Sequence, residues 1–160
     1  MLWPFRRRRL GAIADKLSDR QLVDKVFDRR PDRLEKCTAI QWGVHRVWWL
    51  VAEQQNGSIE QYFTNSTADD YPALCEFLEQ VGAQATLDAL APFAESFFAG
   101  DNFMGRDARI DLVTARREQD EPAWEASVGA TNDEVESSLG DLYRKVAAHI
   151  RDHIDEVEGA

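Results

Sequence analysis

The sequence predicts an all-α fold, a single-domain helical bundle of about seven or eight helices around a central, tryptophan-rich buried helix. Three observations carry this expectation. Apolar residues recur at helical spacing through almost the whole chain, with no convincing strand, internal repeat or long linker. Hydrophobic residues make up 44% of the 160 positions against nine Gly and five Pro, so there is material for a core and little to break helices. A chain of this length buries roughly 70% of its unfolded surface, so it needs no disulfide or metal to fold.

Each element has a local reason. Ser18 caps a helix running to about residue 30, with Leu22, Val23, Val26 and Phe27 on one face and Pro31 as its stop. The next helix is expected over 32–55. Leu34, Cys37, Ile40, Val44, Val47, Trp48 and Val51 form one stripe, and Trp42 and Trp49 lie on the other side. A helix apolar nearly all round is buried on several sides, which makes this one central. Arg46 sits between Trp42 and Trp49 at neighbour spacing, which suits snorkelling or a cation–π contact. Asn56 and Gly57 end the helix, a short turn of helix follows over 58–63, and Asn65, Ser66 and Thr67 offer caps.

Pro72 suits the first turn of a helix carrying Leu74, Phe77, Leu78 and Val81 inward and Glu76 and Glu79 outward, closed by Gly82. A helix over 84–98 is expected to kink or split at Pro92. Residues 99–105 read as a loop, 106–118 as a modest helix with Ile110 and Val113 inward, and 119–132 as another loop. The last helix spans about 133–158, with Leu139, Leu142, Tyr143, Val146, Ile150, Ile154 and Val157 in one stripe and Asp141 placed to pair with Lys145. Residues 1–17 are expected to form a basic N-terminal arm and 18–160 the helical domain.

The charge is unevenly spread. The net charge is -10. Residues 1–53 hold 12 Lys+Arg and 7 Asp+Glu, while residues 54–160 hold 7 and 22, so a basic segment precedes an acidic body. No Lys or Arg occurs between Arg46 and Arg106, a stretch holding Glu53, Glu60, Asp69, Asp70, Glu76, Glu79, Asp88, Glu95 and Asp101. Such a body repels polyphosphate, so direct DNA binding by it is not expected. Its field suits a basic partner. Arg6, Arg7, Arg8 and Arg9 follow Trp3 and Phe5, the reverse of a secretory signal's order. No apolar run approaches the ~20 residues that span a bilayer, so the expected location is the cytoplasm.

Little here points to catalysis. No phosphate loop, dinucleotide fingerprint, serine-hydrolase elbow or zinc-protease motif is present. Cys37 and Cys75 form neither a disulfide framework nor a zinc site and read as small buried apolar residues in helical patterns. His149 and His153, four apart with Glu156 nearby, have metal-ligand spacing but fall on or beside the apolar stripe, where packing is the better reading. His45 has no placed nucleophile. No catalytic residue, cofactor or metal is expected.

The segment Asn56-Gly-Ser-Ile-Glu-Gln-Tyr-Phe-Thr-Asn-Ser66 resembles the N-G-G-F-x-Q-Y-F-x-N-S motif of a bacterial family named for DNA mimic protein nineteen. Leu74 to Ala83, Ala94 to Phe98 and Leu139 to His153 are similar to further helices of that family, so the likeness spans about 34–157. Ser58 and Ile59 depart from its usual Gly and Phe. Within the motif, Asn56, Gly57, Gln61, Tyr62, Phe63, Asn65 and Ser66 have structural roles: a helix end, two packed rings and polar groups satisfying backbone at a tight junction. The resemblance implies a DNA mimic, an acidic helical dimer that occupies a basic DNA-binding protein with carboxylates in place of phosphates. Trp content also fits a homodimer. The candidate partner-binding residues are Glu60, Asp69, Asp70, Glu76 and Glu79, with Asp133, Glu134 and Glu136. The alternative is a toxin-neutralising or chaperone-like helical module recognised by shape; a small hydrolase or metal enzyme is the least favoured reading.

Overall fold

The computed structural model describes residues 9–29 and 36–158. Trp3, Phe5, Arg6, Arg7, Arg8, Pro31 and Leu34, to which roles are assigned above, lie outside the described residues. The fold is all-α. In order, α1 is Asp19–Asp28, α2 Ala39–Asn56, α3 Ile59–Thr64, α4 Tyr71–Val81, α5 Gln84–Ala94, α6 Arg106–Asp152 and α7 Ile154–Glu158. Among the described residues no helix is long and apolar enough to cross a membrane.

Local chemistry explains the starts and stops. Ser18 and Thr38 each close a capping box, with Gln21 and Gln41 three residues on. The second box corrects the expected start of the central helix. Lys36 and Cys37 precede it, because Thr38 uses its hydroxyl on the Gln41 amide instead of continuing a helix. Pro72 sits in the first turn of α4, where its missing N–H costs nothing, and Gly82 ends α4 at φ 72, in the left-handed region.

Three expectations about the second half are corrected. Residues 119–132 are not a loop. Helix α6 runs through them and departs from helical geometry only at Asp120 (φ -160, ψ 81). Asp120 restarts the helix by accepting the Ala123 amide at 3.1 Å, and Pro122 lies in the first turn of the new limb. Residues 99–105 form a small hairpin. Its strands β1, Phe98–Ala99, and β2, Asn102–Phe103, pair antiparallel with Phe98 opposite Phe103 and Gly100 turning at φ 62. Finally, the terminal helix breaks at His153, leaving α7 as a separate turn.

The core is one cluster. Helix α2 is central, as expected. Ile40, Val44, Val47, Leu50 and Val51 are buried, and α2 packs on α1, α3, α4, α6 and α7. Trp42, Trp48 and Trp49 are half-buried, with Trp48 stacked on Phe27 at 3.9 Å. Helix α6 packs along α5, α1 and α3 through Val113, Trp124, Val128, Val135, Leu139, Leu142, Val146 and Ile150. Leu10 and Ala14 are buried too, so the chain joins the core before Ser18. The cysteines are half-buried and Cys37 is outside any helix, a correction to both positions; Cys75 hydrogen-bonds Tyr71.

Candidate functional site

The segment from α3 to α4 is held by a cation from far along the chain. Arg109, on the first limb of α6, is fully buried. Its Nε donates to Phe63 O at 2.6 Å, Nη1 to Met104 O at 2.6 Å, and Nη2 to Asn65 O at 3.0 Å and Asp69 Oδ1 at 2.7 Å. The bonds to Phe63 O and Asn65 O satisfy carbonyls at the C-terminal end of the short helix α3. The guanidinium also lies 5.0 Å from the Phe103 ring centre.

Around this clamp the family-like motif is structural, though not in every detail expected. Tyr62 and Phe63 are buried, Phe63 is stacked on Phe97 at 4.8 Å, and burial pushes the Tyr62 phenol far above its ordinary range. Gln61 does not serve the backbone with its side chain. It donates to the buried Glu53 carboxylate at 2.5 Å, and Gly57 leaves room for this because a Cβ there would collide with it. The residue that caps α3 is Ser58, whose hydroxyl accepts from Gln61 N at 3.3 Å. Asn132 Oδ1 accepts from Ile59 N at 2.8 Å, tying α3 to α6. No side-chain cap comes from Asn65, a correction to its expected part: it contributes its carbonyl to Arg109. Asn56 and Ser66 are exposed.

The stretch without cations in sequence acquires them in space. Asp70 pairs with Arg46 at 3.1 Å, and Arg46 also lies 5.1 Å over Trp42. Asp69 pairs with Arg109. Glu60 is gripped by Arg117 at 3.1 Å and by the Trp124 indole N–H, and the same guanidinium holds Glu121 at 3.4 Å and Glu125 at 2.6 Å. The Glu60 hydrogen bond raises the Arg117 pKa above its ordinary value. Glu60, Asp69 and Asp70 are therefore each held by a cation of the same chain, with Asp69 and Asp70 still exposed. Glu136 accepts from Gln54 Nε2 at 3.4 Å. Glu76 and Glu79 are exposed on α4. Asp141 is paired with Arg144 instead of the expected Lys145.

Asp133 and Glu134 are brought together with a residue the candidate set omitted. Asp88 on α5 joins them along an open groove of about 440 Å³, completed by Ala85, Ala89, Ser137 and Ser138. All three carboxylates are exposed, and no Lys or Arg lines the groove. Its floor is stiff. The hydroxyls of Thr86 and Ser138 share a buried hydrogen bond of 2.9 Å between α5 and α6. The sequence signal was available: residues 118–143 contain no Lys or Arg but hold Glu118, Asp120, Glu121, Glu125, Asp133, Glu134, Glu136 and Asp141. Reading 119–132 as a loop hid that this run is almost all one helix.

Among the described residues no cluster of three or more His, Cys, Asp or Glu is placed to hold a metal ion. His149 and His153 pack against each other at 4.3 Å, and His149 meets the Phe77 ring edge-on at 5.9 Å. A second, smaller groove of about 180 Å³ lies between α1, α2 and α6, where Arg20, Asp24, Trp48 and Tyr143 are among its walls.

Among known families, the model for the DMP19-like protein family matches residues 35–153. No curated protein and no solved structure matches the chain.

Proposed function

Because this chain belongs to the DMP19-like protein family, we propose that it acts without catalysis, presenting carboxylates to a basic DNA-binding protein in place of DNA. The observation that carries this reading is the groove between α5 and α6. Of the candidate carboxylates, Glu60, Asp69 and Asp70 are in ion pairs with Arg117, Arg109 and Arg46, whereas Asp88, Asp133 and Glu134 stand exposed along one groove that no Lys or Arg lines. A DNA-binding cleft lined with Lys and Arg is built to meet anions held at fixed positions, and helices supply that rigidity.

The test is retention of DNA-binding proteins on the immobilised full chain at low salt. Retained proteins are expected to be released by duplex DNA and by raised salt, and the triple variant Asp88→Asn, Asp133→Asn, Glu134→Gln is expected to lose them. Retention indifferent to salt, DNA and the triple variant would overturn the reading. It would favour recognition by shape instead, for which the groove at Arg20, Trp48 and Tyr143 supplies the residue types that anchor protein interfaces.

A further inference from the structure

We propose that the His149–His153 pair, seated against Phe77 at the hinge before α7, is a proton-operated latch. Protonation of His149 releases α7 and with it the contacts α7 makes to the start of the chain and to α2.

The geometry that carries this is a hinge with a shielded imidazole beside it. His153 leaves helical conformation (φ -124, ψ 31) and separates α6 from α7. Its Nδ1 is 2.9 Å from the His149 carbonyl. The His149 ring touches both the His153 ring and Phe77, and its Nε2 is shielded from solvent with no hydrogen-bond partner among the described residues. A neutral imidazole tolerates that; an imidazolium carries an added N–H at Nε2 that has no acceptor there. What α7 holds is specific. Val157 O accepts from the buried Gln41 Nε2 at 3.1 Å, Val157 is itself buried, and Glu158 accepts from Gly11 N.

The surrounding charges set the direction. Burial, then His153, oppose a charge on His149, while Asp152 on α6 and Glu156 on α7 favour it; burial prevails and its pKa lies below the ordinary imidazole value. From α4 the group facing it is the uncharged Phe77 ring, which in turn lies against Gly43 of α2. Lys145, one turn earlier on α6, is drawn toward Gly82. A released His149 takes up its proton near pH 6.5, the docked one only at lower pH. Protons therefore favour release. Docking is fully present above about pH 6.5 and is lost progressively as pH falls below it, until the docked imidazole itself protonates.

Hydrogen exchange of the α7 amides in the full chain tests this, after correction for the intrinsic pH dependence of exchange. Protection is expected to fall between neutral pH and pH 5.5, by at most about tenfold over that span. His149→Phe, which keeps an aromatic ring against Phe77, is expected to abolish this change. His149→Gln and an NMR titration of the wild-type imidazoles serve if the Phe variant does not fold. PH-independent protection of α7 in the wild type would overturn the proposal. So would a dependence that persists in both variants, or a His149 that titrates at or above the ordinary value.

Discussion

Arg109 is the largest side chain fully removed from water, and each of its three nitrogens has an acceptor. Arg109→Met takes the side-chain donor from the Phe63 and Met104 carbonyls and leaves Asn65 O with the Ala68 amide alone, and is expected to cost about 3 to 5 kcal/mol in urea unfolding. Asp69→Asn keeps an acceptor for Nη2 but leaves the buried guanidinium without its counter-ion, and is expected to cost less than Arg109→Met. A loss for Asp69→Asn as large as for Arg109→Met would mean that the ion pair, and not the carbonyl clamp, is the important part. None of this was legible in the chain, because the acceptors lie 40 or more residues from Arg109 except for Met104. In sequence Arg109 is one cation in a modest amphipathic segment. Tyr62 and Phe63 were legible, because two adjacent rings in a short helix have nowhere to go but the core.

At the scale of elements, capping and close approach decide most boundaries. Asp120→Ala removes the cap that restarts α6 and is expected to lower the unfolding free energy by about 1 kcal/mol, seen as a shift in the urea midpoint. Gly43→Ala places a methyl group against the Phe77 ring and is expected to cost about 1 to 3 kcal/mol by overpacking where α2 crosses α4. The capping box at Ser18 and the stop at Gly82 follow from local chemistry and were readable. The helix across 119–132 is masked in the sequence by Pro122, Gly129 and Asn132, which are poor helix formers. Pro122 is harmless in a first turn, and the spacing of Trp124, Val128, Thr131 and Val135 is a helical stripe that packing converts into a helix. The hairpin carries no periodicity, since two residues per strand are too few to alternate.

For the whole molecule the question is where the negative charge stays unpaired. Three like charges along one groove repel one another, and added salt screens that repulsion. The melting temperature of the wild type is therefore expected to rise with salt more than that of the Asp88→Asn, Asp133→Asn, Glu134→Gln variant. Equal salt dependence would mean that the three carboxylates do not share a field. Glu76 and Glu79 remain exposed on α4 but are not among this groove's walls.

The sequence by itself determined the all-α class, the central tryptophan-rich helix, the family and the excess of carboxylates. These rest on periodicity, local motifs and composition, which the chain carries within a few turns of each residue. Only the tertiary structure decided which carboxylates remain available. Ion pairing depends on distance in space, and packing brought Arg46, Arg109 and Arg117 to Asp70, Asp69 and Glu60 across separations of 24, 40 and 57 residues. The same packing set Asp88 beside Asp133 and Glu134, which no spacing along the chain connects.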